Sequence, residues 1–432
     1  MNNVRDSKIM KFLSERHYID HVPFISVGVI SGVFCCLYAI LFSRIERMGM
    51  GLIHQYPYWF FIISPAFLCL SFLIVQKISP GASGSGIPQV MACIEKSHQH
   101  LAPRFLGIRV LIVKITSSIL AIFSSAAIGR EGPSLQISAV IAHKIGLVAQ
   151  RLGIQIKTEQ LLIAGASSGL AAAFNTPIGG IVYAIEELSH EHLRSFKDVL
   201  LLSVVIAGFT AQIIMGNYLY LGYPFIAPST MNSIAIISVV SLGCGILGSF
   251  FSLLLTKLIR WRAQKTFKVQ LIIVALIAVA LVTAYIFLGE RTVFSGKESI
   301  NFVLFNKGEL SLSEILLRFI SPLLSSMTGV AGGIFAPSLS AGATIGGYMS
   351  QMFDPSLRTI LGLSGMISFL TGVTRAPITS FVLVLEMTDR HSSVFPMMFA
   401  AMFGSLGAHI IGSKSFYETS VDLIKANEKE NL

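Results

Sequence analysis

Charged residues are scarce in this sequence. Aspartate, glutamate, lysine and arginine make up only 12% of the 432 residues, whereas hydrophobic residues make up 53%. Soluble proteins carry about 25% charged residues, so this composition excludes an ordinary soluble domain. It predicts a protein that crosses a lipid bilayer several times, because each helical span needs only about 20 apolar residues.

Cysteines with the CxxC spacing and other metal-binding patterns are also missing. The sequence has no CxxC and no HExxH pattern, and His190 and His192 lie two residues apart, which places them on different helix faces. We therefore expect no metal and no other cofactor. The five cysteines lie mostly in apolar runs and are predicted to be buried and reduced: Cys35, Cys36, Cys69, Cys93 and Cys244.

We expect no secretory leader, because the polar first 20 residues lack an apolar core followed by a cleavage site. The positive-inside rule favours a cytoplasmic start on account of four basic residues: Arg5, Lys8, Lys11 and Arg16. The tail after Ser413 is short and polar, so no appended cytosolic domain is expected. We predict a multi-pass protein of the cell (inner) membrane with both termini in the cytoplasm.

The net charge of +10 does not indicate a nucleic-acid partner. The basic residues are scattered over loops and form no stripe interleaved with aromatic residues. Most of the excess positive charge is explained by the preference of basic residues for cytoplasmic loops, and some of it by an entrance that attracts anions.

One charged pair lies inside the apolar part of the chain. Arg130 and Glu131 stand between the runs Leu111–Ile128 and Leu135–Val148, where a charge costs roughly 2.5–3.5 kcal/mol and therefore indicates a functional site. Pro133 suits the first turn of a helix, so a helix is predicted from about Glu131 to the end of the second run. Its free N–H groups form an anion site in which Glu131 is the protein's own anion. The alternative is a carboxylate that only caps its helix.

Two further glycine-rich stretches precede predicted helix starts that contain proline, at 84–88 and at 332–337, and Tyr417 is a lone phenol in the polar tail. Three helix N-termini could therefore converge on one anion. Several apolar runs are too short to cross a bilayer, which predicts discontinuous helices that meet at a mid-membrane site. Four polar stretches are expected to be loops: His98–Arg104, Asn217–Ser233, Arg260–Lys268 and Arg291–Leu310.

The chain repeats itself. The Gly, Pro-Ile and Glu of residues 165–186 recur about 200 residues later at 365–386, and a Pro-Ser-Leu triplet at 133–135 recurs at 337–339. Repeats on this scale indicate the two halves of a transporter, and hydropathy leaves open whether they are inverted. The predicted segments are an N-terminal segment 1–22, a first half 23–215, a loop 216–233, a second half 234–411 and a C-terminal segment 412–432.

These motifs resemble those of a known family. GSGIP at 84–88, GREGP at 129–133 and GGIFAP at 332–337 are similar, in order, to the three signature motifs of the CLC family of chloride channels and chloride/proton antiporters. The resemblance covers about residues 23–420. It implies an all-α polytopic membrane protein with a CLC-type fold, built from two inverted repeats of discontinuous, tilted helices. It also implies a homodimer with one pore per subunit, and a transporter that is not an enzyme.

The resemblance implies a role for individual residues. Glu131 resembles the gating glutamate, which occupies an anion site and swings out when it is protonated. Hydroxyl groups and backbone amides would bind chloride at six positions: Ser85, Arg130, Gly132, Ile334, Phe335 and Tyr417. A serine at position 85 goes with chloride selectivity in the family, with other halides or nitrate tolerated. The alternatives are that Ser85 allows close helix packing and that Tyr417 is an interfacial aromatic residue.

Glu187 helps to distinguish a chloride/proton antiporter from a passive chloride channel. It follows Glu186, but its repeat partner is Met387, so the duplicated scaffold does not require this carboxylate. In the family a glutamate here accompanies proton exchange, and pure channels usually lack it. A carboxylate removed from water binds a proton more readily, which suits an internal proton relay. We therefore predict a chloride/proton antiporter. The alternatives are a passive chloride channel and, for Glu187, a solvated helix-end carboxylate beside His190, Glu191 and His192.

Three other classes are less consistent with the sequence. A GxSxG pattern at 165–169 would make Ser167 the nucleophile of a membrane enzyme, but it lies in an apolar stretch without strand signals. A GxGxxG pattern at 243–248 also lies within an apolar run, without the βα context of a dinucleotide site. A cation transporter would need carbonyls and carboxylates as ligands, whereas the glycine-rich motifs expose N–H donors.

Overall fold

The computed structural model describes residues 17–188, 197–216, 219–227, 230–306, 308–412 and 414–429. In these ranges the only β pairing is two isolated bridges. The described residues form eighteen α-helices: α1 His17–Gln55, α2 Phe60–Ile78, α3 Ile87–Ile94, α4 Ala102–Phe105, α5 Ile108–Phe123, α6 Glu131–Arg151, α7 Thr158–Phe174, α8 Pro177–Tyr183, α9 Lys197–Met215, α10 Met231–Ala263, α11 Phe267–Leu288, α12 Lys297–Phe305, α13 Leu312–Met327, α14 Phe335–Phe353, α15 Arg358–Thr374, α16 Pro377–Thr388, α17 Val394–Ile411 and α18 Phe416–Lys429.

Seven helical segments in the described part of the chain are long and apolar enough to cross a membrane. An eighth span is present if the segments Ser97–Phe105 and Ile108–Phe123, which meet at 57°, are counted together. The protein is therefore a multi-pass membrane protein, as its composition predicts. The seven segments found within the described residues are Asp20–Gln55, Pro57–Ile78, Asp198–Met215, Met231–Ala263, Phe267–Leu288, Pro355–Thr374 and His391–Ile411.

Four helices rich in small residues form the centre of the molecule. α6 packs along α7, and α14 packs along α15. At the second crossing, Gly342 and Gly365 are so close that a Cβ on either residue would overlap the carbonyl oxygen of the other. Small residues allow helix backbones to approach in this way where no hydrophobic effect drives association. As a result α6 and α14 begin inside the protein rather than at its surface.

The two stretches that suggest a duplication are in reciprocal contact. Glu186 accepts hydrogen bonds from the N–H groups of Ile378 (3.0 Å) and Thr379 (2.6 Å) at the start of α16. Glu386 accepts them from the N–H groups of Ile178 (3.1 Å) and Gly179 (2.8 Å) at the start of α8. Each glutamate thus caps the start of the helical segment near whose end its counterpart lies, as expected for related segments. The boundaries of the two halves stay a prediction.

Two expected loops contain helices, and a third, Arg260–Lys268, is mostly the end of α10 and the start of α11. The stretch Arg291–Leu310 includes α12, and the stretch His98–Arg104 is made of a short 3-10 helix followed by most of α4. α12 has only nine residues, of which Ser299, Ile300, Val303 and Leu304 are buried. Such a short one-sided pattern does not form a continuous apolar run. The polar tail likewise forms α18, and residues 1–16 of the N-terminal segment lie outside the described residues.

Candidate anion-binding site

Backbone hydrogen bonds join the three loops that carry the glycine-rich motifs. The Gly84 N–H donates to the Val330 carbonyl (3.0 Å), and the Gly332 N–H donates to the Gly84 carbonyl (3.0 Å). Gly129 and Gly333 exchange two hydrogen bonds of 2.7 Å each. Motifs that are far apart in the sequence therefore form one backbone unit.

Each of these loops leads into a buried helix start. α3 begins at Ile87, α6 at Glu131 and α14 at Phe335, and each helix has a proline within its first three residues. The first N–H groups of a helix have no partner inside the helix, and the dipole is positive at that end. Because the loops are tied together, the three helix starts are neighbours. This arrangement can bind an anion.

The Glu131 carboxylate lies between two of these helix starts. Its side chain is fully buried, and the carboxylate faces the Ala336 N–H of α14 as well as its own N–H. It also lies against Gly129, where an added Cβ would overlap its Oε2 atom. Because it reaches a second helix, the carboxylate does more than cap its own helix. It stands where a soluble anion would meet the same donors.

The hydroxyl groups of Ser85 and Tyr417 face each other inside the protein. Both are buried, and neither forms a hydrogen bond of normal length and angle among the described residues. The Ser85 Oγ atom also lies against Gly132, since a Cβ at that glycine would overlap it. A buried donor without an acceptor costs about 1–3 kcal/mol, so an anion between the two hydroxyls would relieve that cost. Tyr417 is fully buried at the start of α18. This burial does not fit the alternative in which Tyr417 is an aromatic residue at the membrane interface.

Aromatic rings enclose Phe335. Its ring stacks on Tyr417 with centroids 6.1 Å apart and meets Tyr183 edge-on at 6.1 Å. The preceding residue, Ile334, is also buried, so the amides of both residues are shielded from water. The sequence did not single out Tyr183, because one tyrosine in an apolar helix carries no signal beyond packing. Its hydroxyl is buried and has no partner in the described part of the chain.

The Arg130 side chain turns away from this site. Its guanidinium donates to the carbonyls of Ala39 (2.8 Å) and Ala173 (3.3 Å) and to Ser43 Oγ (2.7 Å). It also lies over the Tyr220 ring, 5.6 Å from its centroid. These contacts connect α6 with α1 and α7. Only the backbone of Arg130 is therefore available to an anion.

Glu187 is a second buried carboxylate. It lies in a π-helical turn, Ala184–Leu188, and is 6% exposed, which does not fit a solvated helix end. Its charge acts on the Tyr183 and Tyr417 phenols, so it is close to the inner part of the site. The neighbouring His190, Glu191 and His192 lie outside the described residues.

Two cavities lead to different parts of this region. A cavity of about 610 Å³ reaches Gly84 and Ser85, and its described lining includes Arg104, Arg260 and Arg262 but no acidic residue. A cavity of about 270 Å³ reaches Glu187 and is lined by three further acidic residues and two lysines. The first therefore attracts anions and the second offers proton acceptors. The three arginines come from separate loops and helices, so sequence reasoning had no pattern by which to group them.

The other patterns noted in the sequence do not form active sites. Ser167 and the GxSxG pattern lie within α7, whereas a nucleophile elbow needs a turn between a strand and a helix. The GxGxxG pattern lies within α10. All five cysteines are unpaired. No group of three or more possible metal ligands occurs among the residues that the structure describes.

The sequence matches a family model described as "Voltage gated chloride channel" over residues 66–409. Similar curated proteins are named "H(+)/Cl(-) exchange transporter ClcA". The one from Vibrio cholerae serotype O1 is 26% identical over 450 residues, covering 98% of this chain and 93% of the relative. The one from Salmonella arizonae is 27% identical over 420 residues, covering 91% and 86%.

Solved structures share the fold. A slow cyanobacterial Cl⁻/H⁺ antiporter superposes with a TM-score of 0.84 and 24% identity, over 95% of this chain and 99% of that one. A CLC-type fluoride/proton antiporter superposes with a TM-score of 0.76 and 19% identity, over 94% and 98% of the two chains. At these identities the structures show a common fold.

Proposed function

This chain belongs to the voltage-gated chloride channel (CLC) family, whose model matches residues 66–409, and from that premise we propose that it exchanges chloride for protons across a membrane. The relatives named as chloride/proton exchange transporters match nearly the whole chain. The likeness thus extends over the whole transport unit, and no enzymatic step is required.

The observation that carries the proposal is the pair of buried carboxylates, Glu131 and Glu187. Glu131 faces the Ala336 N–H at the start of α14, so it would compete with an anion for that donor. Glu187 lines a separate cavity, and the arginine-lined cavity does not reach it. A passive channel needs only the first carboxylate as a gate. An exchanger also needs a proton acceptor on the other side of the gate, and Glu187 supplies one.

Chloride would enter through the cavity lined by Arg104, Arg260 and Arg262, where positive charge raises the local anion concentration. It would then bind between the Ser85 and Tyr417 hydroxyls, which are buried without partners. Converging N–H donors would complete its shell in place of water. We assign these donors to the backbone amides of Ile334 and Phe335 at the centre, and of Arg130 and Gly132 further out.

Protons would follow a different route to the same gate. Glu187 takes up a proton from its own cavity, and the proton passes the region of Tyr183 to reach Glu131. Protonation neutralises Glu131, so its carboxyl group no longer competes for the helix donors and swings out, and chloride takes its place. Loss of the proton returns the carboxylate and expels the chloride. The Glu131 carboxyl group thus either carries a proton or occupies the anion site. This alternation couples the proton flux to the chloride flux.

A vesicle experiment tests this function. Purified protein in liposomes is given a chloride gradient, no pH gradient and a clamped membrane potential, and the pH is followed. We expect chloride movement to drive protons uphill in the opposite direction. A protein that releases chloride while the pH stays constant would be a passive channel, which would overturn the proposal.

Gly132 offers a test of the anion site. In Gly132→Ala the added Cβ would overlap Ser85 Oγ and push this hydroxyl away from Tyr417. Loss of a hydrogen bond to a charged group typically costs about 1.5–3 kcal/mol, equal to a roughly tenfold to hundredfold loss of chloride affinity. Calorimetric titration with chloride measures the loss. Gly243→Ala is the matched control, because a Cβ there meets no atom within 4 Å. Equal affinities in the two variants would contradict the assignment of Ser85.

The assembly and its placement belong to the same proposal. We infer a homodimer in the cell (inner) membrane with cytoplasmic termini, and two halves at 23–215 and 234–411. Ile178 and Ile378, which occupy matching positions in the repeat, are both more than half exposed, as expected for a face that a second copy or lipid covers. Light scattering of the detergent-solubilised protein tests the dimer, and a mass of one chain would contradict it.

A further inference from the structure

The cavity that contains Glu187 holds another carboxylate, Glu418, which the route described above does not use. Both residues line the same cavity of about 270 Å³. Glu187 is 6% exposed, whereas Glu418 is exposed at the surface. The cavity therefore joins a carboxylate in contact with water to one that is shielded from it.

Glu418 is also close to the buried site. It follows Tyr417 directly, in the first turn of α18, and accepts a hydrogen bond from the Ser415 N–H (2.8 Å). The charges of Glu418 and of the adjacent Glu186 both act on Glu187. The Tyr183 hydroxyl, which has no partner in the described chain, is buried beside Glu187. An acid at the surface, a buried acid and a free buried hydroxyl thus follow one another inward.

The other two acidic residues of the cavity are engaged in ion pairs. Glu95 pairs with Lys425 at 2.7 Å, and Asp422 pairs with Lys414 at 2.7 Å. The hydrogen bond and charge of Asp422 raise the pKa of Lys414, as expected for a pair in which both members are charged. A carboxylate held by a lysine is a poor proton acceptor. Among the described residues, Glu418 forms no such ion pair, although Arg375 at the end of α15 and Lys414 in the same cavity interact with it electrostatically.

We propose that Glu418 takes up protons from the solution at the mouth of this cavity and passes them to Glu187. The inference rests on the proposed function. In the transfer, the Glu418 O–H bond breaks and a Glu187 O–H bond forms, directly or through one water in the cavity. Glu418 is left as a carboxylate and regains a proton from the solution at the mouth of the cavity. No other reactant is consumed.

The test compares Glu418→Gln with the unaltered protein in liposomes, over a range of pH on the side of this cavity. Glutamine keeps an acceptor for the Ser415 N–H, so the start of α18 is preserved. We expect chloride-driven proton movement to fall about tenfold at alkaline pH and to recover towards the unaltered rate at acidic pH, where protons reach Glu187 without a carrier. Glu418→Asp should retain most of the rate, because it keeps an acid at this position.

Glu95→Gln and Asp422→Asn are the matched controls, since each removes one negative charge from the same cavity. They should keep the pH profile of the unaltered protein. An unchanged profile for Glu418→Gln would overturn the inference, and so would an equal loss in all three variants, which would indicate only a change in potential. If glutamine prevents folding, Glu418→Asp and Glu418→Asn provide a pair of equal size for the same comparison.

The two proposals fail in different ways. If the unaltered protein moves no protons against a chloride gradient, the proposed function fails. If it does so, and if Glu187→Gln stops the movement while Glu418→Gln has no effect at any pH, only the role of Glu418 fails.

Discussion

Replacing Glu131 with glutamine is expected to abolish proton coupling while chloride still crosses the membrane. Glutamine has nearly the same shape but carries no charge and no exchangeable acid proton. The buried side chain can then neither deliver a proton nor compete as an anion for the Ala336 N–H of α14. Loss of a positioned acid/base group typically lowers proton transfer about 100-fold or more. The same liposome assay measures it, with proton and chloride fluxes recorded together.

Glu314→Gln serves as the control for this variant. Glu314 is also a buried carboxylate, but it pairs with Arg291 (2.6 Å) and caps α13 by accepting the Ser311 N–H. We expect its loss to leave the ratio of the two fluxes unchanged, even if the protein becomes less stable. Proton movement that persists in Glu131→Gln would show that the gate is not this carboxylate. Loss of chloride flux from a folded Glu131→Gln protein would show that the charge is needed for permeation itself.

Replacing Glu187 with glutamine should suppress proton transport by about 100-fold and leave chloride permeation in place. The residue lines the acidic cavity, whereas the buried hydroxyls of the chloride site belong to Ser85 and Tyr417. Removal of the acid therefore interrupts the proton route without removing a chloride contact. Chloride-driven pH change and chloride release from the same vesicles separate the two effects.

The adjacent Glu186 provides a control that differs by one position. Its carboxylate accepts two N–H groups of α16, and glutamine keeps an acceptor there, so Glu186→Gln should remain coupled. Unchanged coupling in Glu187→Gln would indicate either a passive channel or a different internal proton donor. Equal losses in the two variants would assign the effect to the charge of this turn rather than to Glu187.

Local patterns in the sequence predicted several elements well. α6 was expected from about Glu131 to Val148 and extends over Glu131–Arg151, because proline and the following apolar run mark a helix start wherever the chain lies. α12 was missed, since nine residues with one buried face produce no apolar run. Tyr417 was expected in a polar tail, but tertiary contacts with Phe335 bury it completely.

By itself, the sequence determined that the protein lies in a membrane, that three glycine-rich motifs precede helix starts and that two stretches about 200 residues apart share a residue pattern. These properties depend on composition and on the conformational limits of glycine and proline, which act over a few residues. Tertiary structure alone decided that Gly84, Gly129 and Gly333 would be joined by hydrogen bonds, that Glu131 would face a second helix and that two cavities of opposite character would open on one region. Each of these depends on contacts between residues far apart in the chain, and no local pattern specifies which distant residue will be the neighbour.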